Sequence, residues 1–266
     1  MRAQRPEDDQ YSVTQLVRRV ISVSEPAMRR HQIERHLLTV DAATAAEHLH
    51  DCITQGVRGD GEAQEVVLAA AEAVMLAADR FALALEAVHL EARREGRHAV
   101  GWFLLDPPAF KVADSMRLRR AGERSLTLGE RKSQAAGWDQ RRLERLIDDP
   151  EPMVIEKLVA NPRVGDRLIL SIVSARPNLP ARICAVARTP RWFSRPPVRS
   201  AIAQNPYTPT GLALRCLPLA SYADLERIRV ATDLHPALRL GAAYLLSVRQ
   251  GRPDGPTPDE LDRLPA

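Results

Sequence analysis

Apolar residues recur along most of this chain at the spacing of amphipathic helices. Val13, Leu16, Val17 and Val20 follow the i, i+3, i+4, i+7 rule and would share one face of a helix over residues 12–23. The same rule predicts further helices over residues 27–39, 42–56 and about 62–95, the last with a bend or an interruption near Ala78-Asp79 as an alternative to a continuous helix. The apolar run over residues 98–105 does not distinguish strand from helix, and its helical surroundings favour a helix or an extended packed segment.

Residues that favour helix ends mark several boundaries. Asp41 is placed to cap the helix that follows it, and Gly96 is placed to end the long one. Thr127 and Glu130 have the spacing of a capping box, in which each side chain accepts a hydrogen bond from the other residue's backbone. We interpret residues 106–137 as the connection between two halves of the chain.

In the second half, prolines separate shorter apolar segments. The prolines concerned are Pro150, Pro162, Pro177, Pro190, Pro206, Pro218 and Pro236. Taken two intervals at a time, they recur about every 28 residues, as expected for a two-helix repeat. Proline stops one helix and can begin the next. Helices this short are marginal in isolation, so they must be stabilised by stacking on their neighbours.

The sequence therefore predicts an all-α protein, with an N-terminal helical bundle followed by a short right-handed α-solenoid of two-helix repeats of about 28 residues. The predicted boundaries are 1–105 for the N-terminal helical region, 106–137 for the connecting segment, 138–250 for the repeat domain and 251–266 for a flexible tail.

One stretch of the second half supports a more specific comparison. Leu143-Glu-Arg-Leu146-Ile-Asp-Asp149-Pro150, continued to Asn161-Pro162, resembles the leucine-rich-repeat-variant and HEAT-like repeats of bacterial proteins. The resemblance is strongest over residues 143–206, weakens to about residue 246 and does not cover residues 1–125. It implies a helix pair per unit and says almost nothing about function. Some proteins of this kind carry an N-terminal iron–sulfur cluster that is bound by closely spaced cysteines. The cysteines of this chain are not closely spaced, so this feature is not expected here.

Composition narrows the functional classes. The net charge is +4 and the pI about 9.2, yet 34 acidic residues nearly balance 38 basic ones. Only three of the basic residues are lysines, a bias that a GC-rich coding sequence would produce. General surface charge therefore explains the basic pI better than a dedicated anion-binding face does. The first ten residues are polar and no stretch has the length of a membrane span, so we expect a cytoplasmic protein without membrane contact.

Candidate chemistry is sparse. The three cysteines are far apart and are expected to be buried free thiols. His48, His50 and Cys52 are metal-ligand types, but His50 would lie on another helix face and no fourth ligand is evident. Asp148-Asp149 is explained by a helix end, and Gly129–Ser133 lacks the spacing of a phosphate loop. We therefore predict no catalytic residue, no metal site and no cofactor, and hence no enzyme activity.

The most informative cluster lies between two predicted repeat helices. It combines aromatic residues with arginines, the residue types enriched at binding hot spots. The predicted partner-binding residues are Arg188, Arg191, Trp192, Phe193, Arg195, Arg199 and Tyr207. The competing interpretation is that the aromatic rings fill the gap between stacked helices and the arginines cover them with their aliphatic stems.

Three functional hypotheses follow. The first is a non-enzymatic adaptor or scaffold that binds another protein or a peptide on its solenoid surface. The second is a nucleic-acid-binding HEAT-like repeat protein, with a DNA glycosylase as one form of it. Its support is the arginine content of residues 117–145 and 188–199. The third is a structural subunit of a larger cytoplasmic assembly, formed through the N-terminal helices.

Overall fold

A computed structural model describes residues 12–77, 80–108, 110–111, 126–252 and 254–263 of the chain. In these ranges it contains sixteen α-helices and no β-strand. The α-helices are α1 Val13–Ile21, α2 Pro26–Thr39, α3 Ala42–Val57, α4 Gly61–Ala77, α5 Ala82–Arg94, α6 His98–Leu104, α7 Leu128–Ala135, α8 Gln140–Leu146, α9 Pro152–Ala160, α10 Asp166–Ser174, α11 Pro180–Ala187, α12 Pro190–Phe193, α13 Pro196–Ala203, α14 Thr210–Cys216, α15 Tyr222–Val230 and α16 Pro236–Arg249. The predicted all-α class is confirmed.

Several predicted helix ends are confirmed by their hydrogen bonds. The Asp41 side chain accepts from the Thr44 amide at 3.0 Å at the start of α3. Thr127 and Glu130 form the expected capping box at the start of α7, with the Glu130 carboxylate accepting from the Thr127 amide at 2.8 Å. Gly96 ends α5 with φ at +68°, a conformation that favours glycine. These ends are determined by local sequence.

The chain divides into two compact units. Unit 1 comprises residues 1–107 and 214–266, and unit 2 comprises residues 108–213, so the boundary falls within α14. This differs from the predicted repeat domain of residues 138–250, because α15 and α16 belong to unit 1. There α16 packs against α3 and α6 as well as against α15. The proline rhythm continues through these helices and gave no sign of the change in packing partner.

The described part of the predicted flexible tail is folded onto unit 1. A 3₁₀ helix at Pro258–Arg263 packs against α16 and α6. The Trp102 indole nitrogen donates to the Pro256 carbonyl at 3.1 Å. A Cβ on Gly101 would lie 2.9 Å from Pro258, so glycine permits this close approach. The tail lacks apolar periodicity, which explains why the sequence suggested a free end.

Unit 2 consists of short helices stacked on their neighbours. Helix α7 packs against α9, α9 against α11, and α10 against α13. The fully buried side chains include Leu143, Ile155, Ile169 and Ile183. Each of these short helices is thus stabilised by contacts with other helices, as a helical-repeat fold requires. The basic stretch Arg117–Arg120 of the predicted connection lies outside the described residues.

The sequence predicted no membrane-spanning segment, a property that depends on the length and the hydropathy of each helix. None of the helices in the described ranges is both long and apolar enough to span a bilayer.

Candidate binding surface

Trp192 and Phe193, the aromatic centre of the predicted site, form part of the core of unit 2. Both side chains are completely buried, with 0% exposure. The Trp192 indole nitrogen donates to the Val159 carbonyl at 2.7 Å, which joins α12 to the end of α9. A partner therefore cannot contact either ring on the surface of this fold. Their predicted role in direct partner binding is replaced by a structural one, because the gap between stacked helices needs a large side chain.

Three predicted site arginines surround these rings. The guanidinium carbon of Arg191 lies 4.4 Å from the Trp192 ring centroid, and that of Arg195 lies 5.7 Å from it. Arg199 is itself buried and donates to the Phe193 carbonyl at 2.7 Å. Arg191 and Arg195 thus cover a buried ring while remaining exposed themselves. Arg199 is a structural residue.

The two other predicted residues are not part of these stacks and hydrogen bonds. Arg188 is exposed at the C-terminal end of α11. Tyr207 is half-buried, and its backbone amide donates to Asn205 Oδ1 at 3.0 Å. The structure therefore brings together five of the seven predicted residues, and two of those five, Arg191 and Arg195, are accessible.

One exposed aromatic residue of unit 2 that the sequence analysis missed is Trp138. Its side chain is 76% exposed. The guanidinium carbon of Arg163 lies 4.5 Å from the ring centroid, within the range of a cation–π contact. Trp138 follows Gly137 and precedes Asp139, the residue that caps α8. A large apolar residue between a helix end and a cap is the signal that could have identified it, because loops lie at the surface.

Asn161 fixes the position of both members of this pair. Its Nδ2 donates to the carbonyls of Ala135 and Gly137, at 2.8 Å each. Its Oδ1 accepts from the backbone amide of Arg163 at 2.9 Å. The side chain is 5% exposed, so these bonds are shielded from water. One buried asparagine therefore connects the segment that carries Trp138 to the segment that carries Arg163.

The same arrangement recurs at Asn205. Its Nδ2 donates to the carbonyls of Val173 at 2.6 Å and Ala175 at 3.0 Å. Asn161 connects the ends of α9 and α7, and Asn205 connects the ends of α13 and α10. The interval between Asn161 and Asn205 is longer than the interval of about 28 residues between the prolines from which the repeat was predicted. Asn205 leads to no exposed tryptophan, so it provides an internal comparison for Asn161.

Arg191 and Arg195 contact the same segment as Trp138. Arg191 donates to the Val164 carbonyl at 3.3 Å, one residue beyond Arg163. Arg195 forms an ion pair with Asp166 at 2.9 Å. These contacts place the guanidinium groups of Arg191 and Arg195 beside the segment that follows Arg163, whose side chain stacks on Trp138. We call Trp138, Arg163, Arg191 and Arg195 the Trp138 patch.

Charge is unevenly distributed along the chain. From Ala160 to Ala213 the sequence contains eight arginines and a single acidic residue, Asp166. Of these arginines, Arg182 and Arg199 are buried, and the other six are exposed. The near balance of charge over the whole protein conceals this local excess. It falls in the unit that carries the Trp138 patch.

His48 and Cys52, two of the metal-ligand types in the sequence, are buried in unit 1. His48 contacts His36 rather than Cys52, with their ring nitrogens 3.1 Å apart. Burial lowers the pKa of His36 to about 4, with smaller effects from His48 and Arg19. Burial also raises the pKa of Cys52 to about 12, which makes its thiol a poor nucleophile at neutral pH.

Asp148 and Asp149 lie in different environments, and the metal-ligand residue types form no metal site in the described part of the chain. Asp149 is fully buried, where it pairs with Arg131 and accepts from the Glu151 amide at 3.0 Å, while Asp148 is exposed. Among the residues that the structure describes, no group of three His, Cys, Asp or Glu side chains is arranged to hold a metal ion. The phosphate-loop candidate Gly129–Ser133 lies within α7.

Comparison with known proteins yields no relative. No protein-family model, no curated protein and no solved structure matches this chain.

Proposed function

We propose that this protein is a non-enzymatic nucleic-acid-binding protein that uses the arginine-rich surface of unit 2. The observation that carries the proposal is the local charge excess, with eight arginines against one carboxylate from Ala160 to Ala213. Six of those arginines are exposed. Guanidinium groups match phosphate geometry, and neutralising phosphates is the main source of affinity in such complexes.

The choice over the adaptor hypothesis rests on what remains accessible. The aromatic residues expected to anchor a protein partner, Trp192 and Phe193, are buried. The exposed charged groups around them are the arginines Arg191 and Arg195, whereas charged residues are generally depleted from the centres of protein–protein interfaces. A concentrated positive surface suits a polyanion better than it suits a neutral protein surface.

The protein-binding adaptor stays as a second candidate because of one observation. Trp138 is 76% exposed and held in place, as an interface anchor would be. This candidate would be favoured by a protein partner that remains bound after nuclease treatment and is lost from a Trp138→Ala variant.

The test is salt-dependent binding of labelled oligonucleotides, measured by fluorescence anisotropy. Wild type is compared with a triple variant, Arg167→Gln, Arg176→Gln and Arg188→Gln. The matched control, Arg35→Gln with Arg239→Gln and Arg252→Gln, removes three exposed arginines from unit 1 and changes the net charge equally.

We expect micromolar binding that weakens steeply between 50 and 200 mM salt, on the order of tenfold for each two or three phosphates contacted. The unit 2 variant should lose about tenfold or more, and the control about twofold or less. No salt-dependent binding, or equal losses in both variants, would refute the proposal.

A further inference from the structure

The Trp138 ring presents a stacking surface that charge alone does not explain. With 76% of the side chain exposed and Arg163 stacked at 4.5 Å, the indole has a cation on one face and solvent over most of the rest. Leaving a large apolar ring in water has no folding benefit, since burial is what stabilises such side chains. The ring is therefore available for an aromatic group of a ligand.

The backbone that carries the ring is also fixed before any ligand arrives. The buried Asn161 bonds to Gly137 on one side and to Arg163 on the other. A Cβ at Gly137 would lie 3.1 Å from the Gln134 carbonyl oxygen, so the turn before Trp138 is tightly packed. A loop that is already ordered loses little conformational entropy when its side chain binds a ligand, which increases affinity.

Positive groups, together with the carboxylate of Asp166, lie along the segment whose Arg163 stacks on this ring. Arg191 reaches the Val164 carbonyl and Arg195 reaches Asp166, so both guanidinium groups lie next to the segment that carries Arg163. Their own contacts with the protein hold these arginines in place. An aromatic platform bordered by fixed cations is the arrangement that binds a base and its neighbouring phosphates.

We infer that the Trp138 patch binds single-stranded nucleic acid, with one base stacked on Trp138 opposite Arg163 and the adjacent phosphates bound by Arg191 and Arg195. This inference rests on the proposed function and specifies its ligand. In a duplex each base face is covered by its neighbours, so a duplex would use the arginines and leave Trp138 unused. An unpaired base is free to stack.

The experiment compares three ligands: a labelled 15-nucleotide oligothymidine, a 15-base-pair duplex and an acidic peptide of the same net charge as the oligothymidine. Each is titrated against wild type, Trp138→Ala and Trp138→Phe. The matched control is Tyr222→Ala, which removes an exposed aromatic side chain from unit 1. Thermal unfolding of each variant confirms that it remains folded.

We expect Trp138→Ala to weaken oligothymidine binding by about 5- to 150-fold, the range measured for removing one base–aromatic stack. Phenylalanine should restore most of this affinity, because it keeps a stacking face. Duplex binding should stay unchanged in all variants. Oligothymidine should also quench tryptophan emission in wild type, and should lose that effect in Trp138→Phe, since Trp102 and Trp192 are buried.

The outcomes separate this inference from the proposed function. If Trp138→Ala binds oligothymidine as tightly as wild type, or loses single-strand and duplex binding equally, stacking on Trp138 is refuted while arginine-mediated binding remains. If neither nucleic acid binds, both are refuted. Trp138-dependent binding of the acidic peptide alone would also refute both and favour the adaptor.

Discussion

Trp192 and Trp138 show that the same pair of residue types, tryptophan and arginine, occurs in opposite environments within one unit. Each ring stacks against arginine, at 4.4 Å for Arg191 on Trp192 and 4.5 Å for Arg163 on Trp138. Yet Trp192 is 0% exposed and Trp138 is 76% exposed. The Trp192 indole nitrogen bonds to a carbonyl of another helix, whereas Trp138 lies in a loop. An aromatic–arginine pair in a sequence therefore indicates neither a binding site nor a core until its burial is known.

The largest expected difference between Trp192 and Trp138 is in how much each side chain contributes to the free energy of unfolding. Trp192→Ala should lower the free energy of unfolding by about 3–5 kcal/mol, because it leaves a large cavity and removes the bond to Val159. Trp138→Ala should lower it by about 1 kcal/mol or less, the value of an exposed cation–π contact. Urea unfolding followed by circular dichroism measures both. Similar losses in the two variants would show that Trp138 also has a structural role.

A third aromatic stack is formed by His36 and His48 in unit 1. Because these rings are buried, the stability of unit 1 is expected to depend on pH. Burial lowers the pKa of His36 to about 4, below its ordinary value of 6.5. The unfolded chain therefore takes up protons first as pH falls. The stability contributed by the neutral ring is complete above pH 6.5 and is lost as pH falls towards about 4.

The expected loss over that interval is at most about 3 kcal/mol. A His36→Gln variant should show a shallower pH dependence of its unfolding midpoint. Unit 2 contains no histidine, so this effect belongs to unit 1. An unchanged pH profile in the variant would contradict the assignment to His36.

A comparison of Asn161 with Asn205 distinguishes a residue that supports Trp138 from one that only stabilises the fold. Asn161→Ala and Asn205→Ala each remove a buried side chain that bonds to two carbonyls, so each should lower the free energy of unfolding by about 2–3 kcal/mol. Only Asn161 supports Trp138. Asn161→Ala should therefore weaken oligothymidine binding as well, while Asn205→Ala should not, when both are measured well below their unfolding midpoints. Equal binding by the two variants would separate the Asn161 support from the ligand site.

Local sequence was sufficient to determine several of the helices and their ends, although the single helix predicted over about residues 62–95 is two helices, α4 and α5. Apolar periodicity predicted α1, α2 and α3, and the caps at Asp41 and Thr127 are present, because these features depend on residues within one or two turns. Local sequence also predicted short helices that need neighbours. For Arg188–Arg199 the sequence left two interpretations open, partner binding and arginines that cover aromatic rings, because it could not say which side chains face water.

Only the tertiary structure decided which residues are buried and which elements meet. Arg182 is 0% exposed and bonds to the carbonyl of Ile147, while Arg188 in the same segment is exposed. The asparagine that supports Trp138 acts across α7 and α9, and α16 packs against α3 and α6 of the same unit. These choices depend on contacts between residues distant in sequence, and burial is a property of that packing. A single helix's sequence contains no information about which partner will cover it.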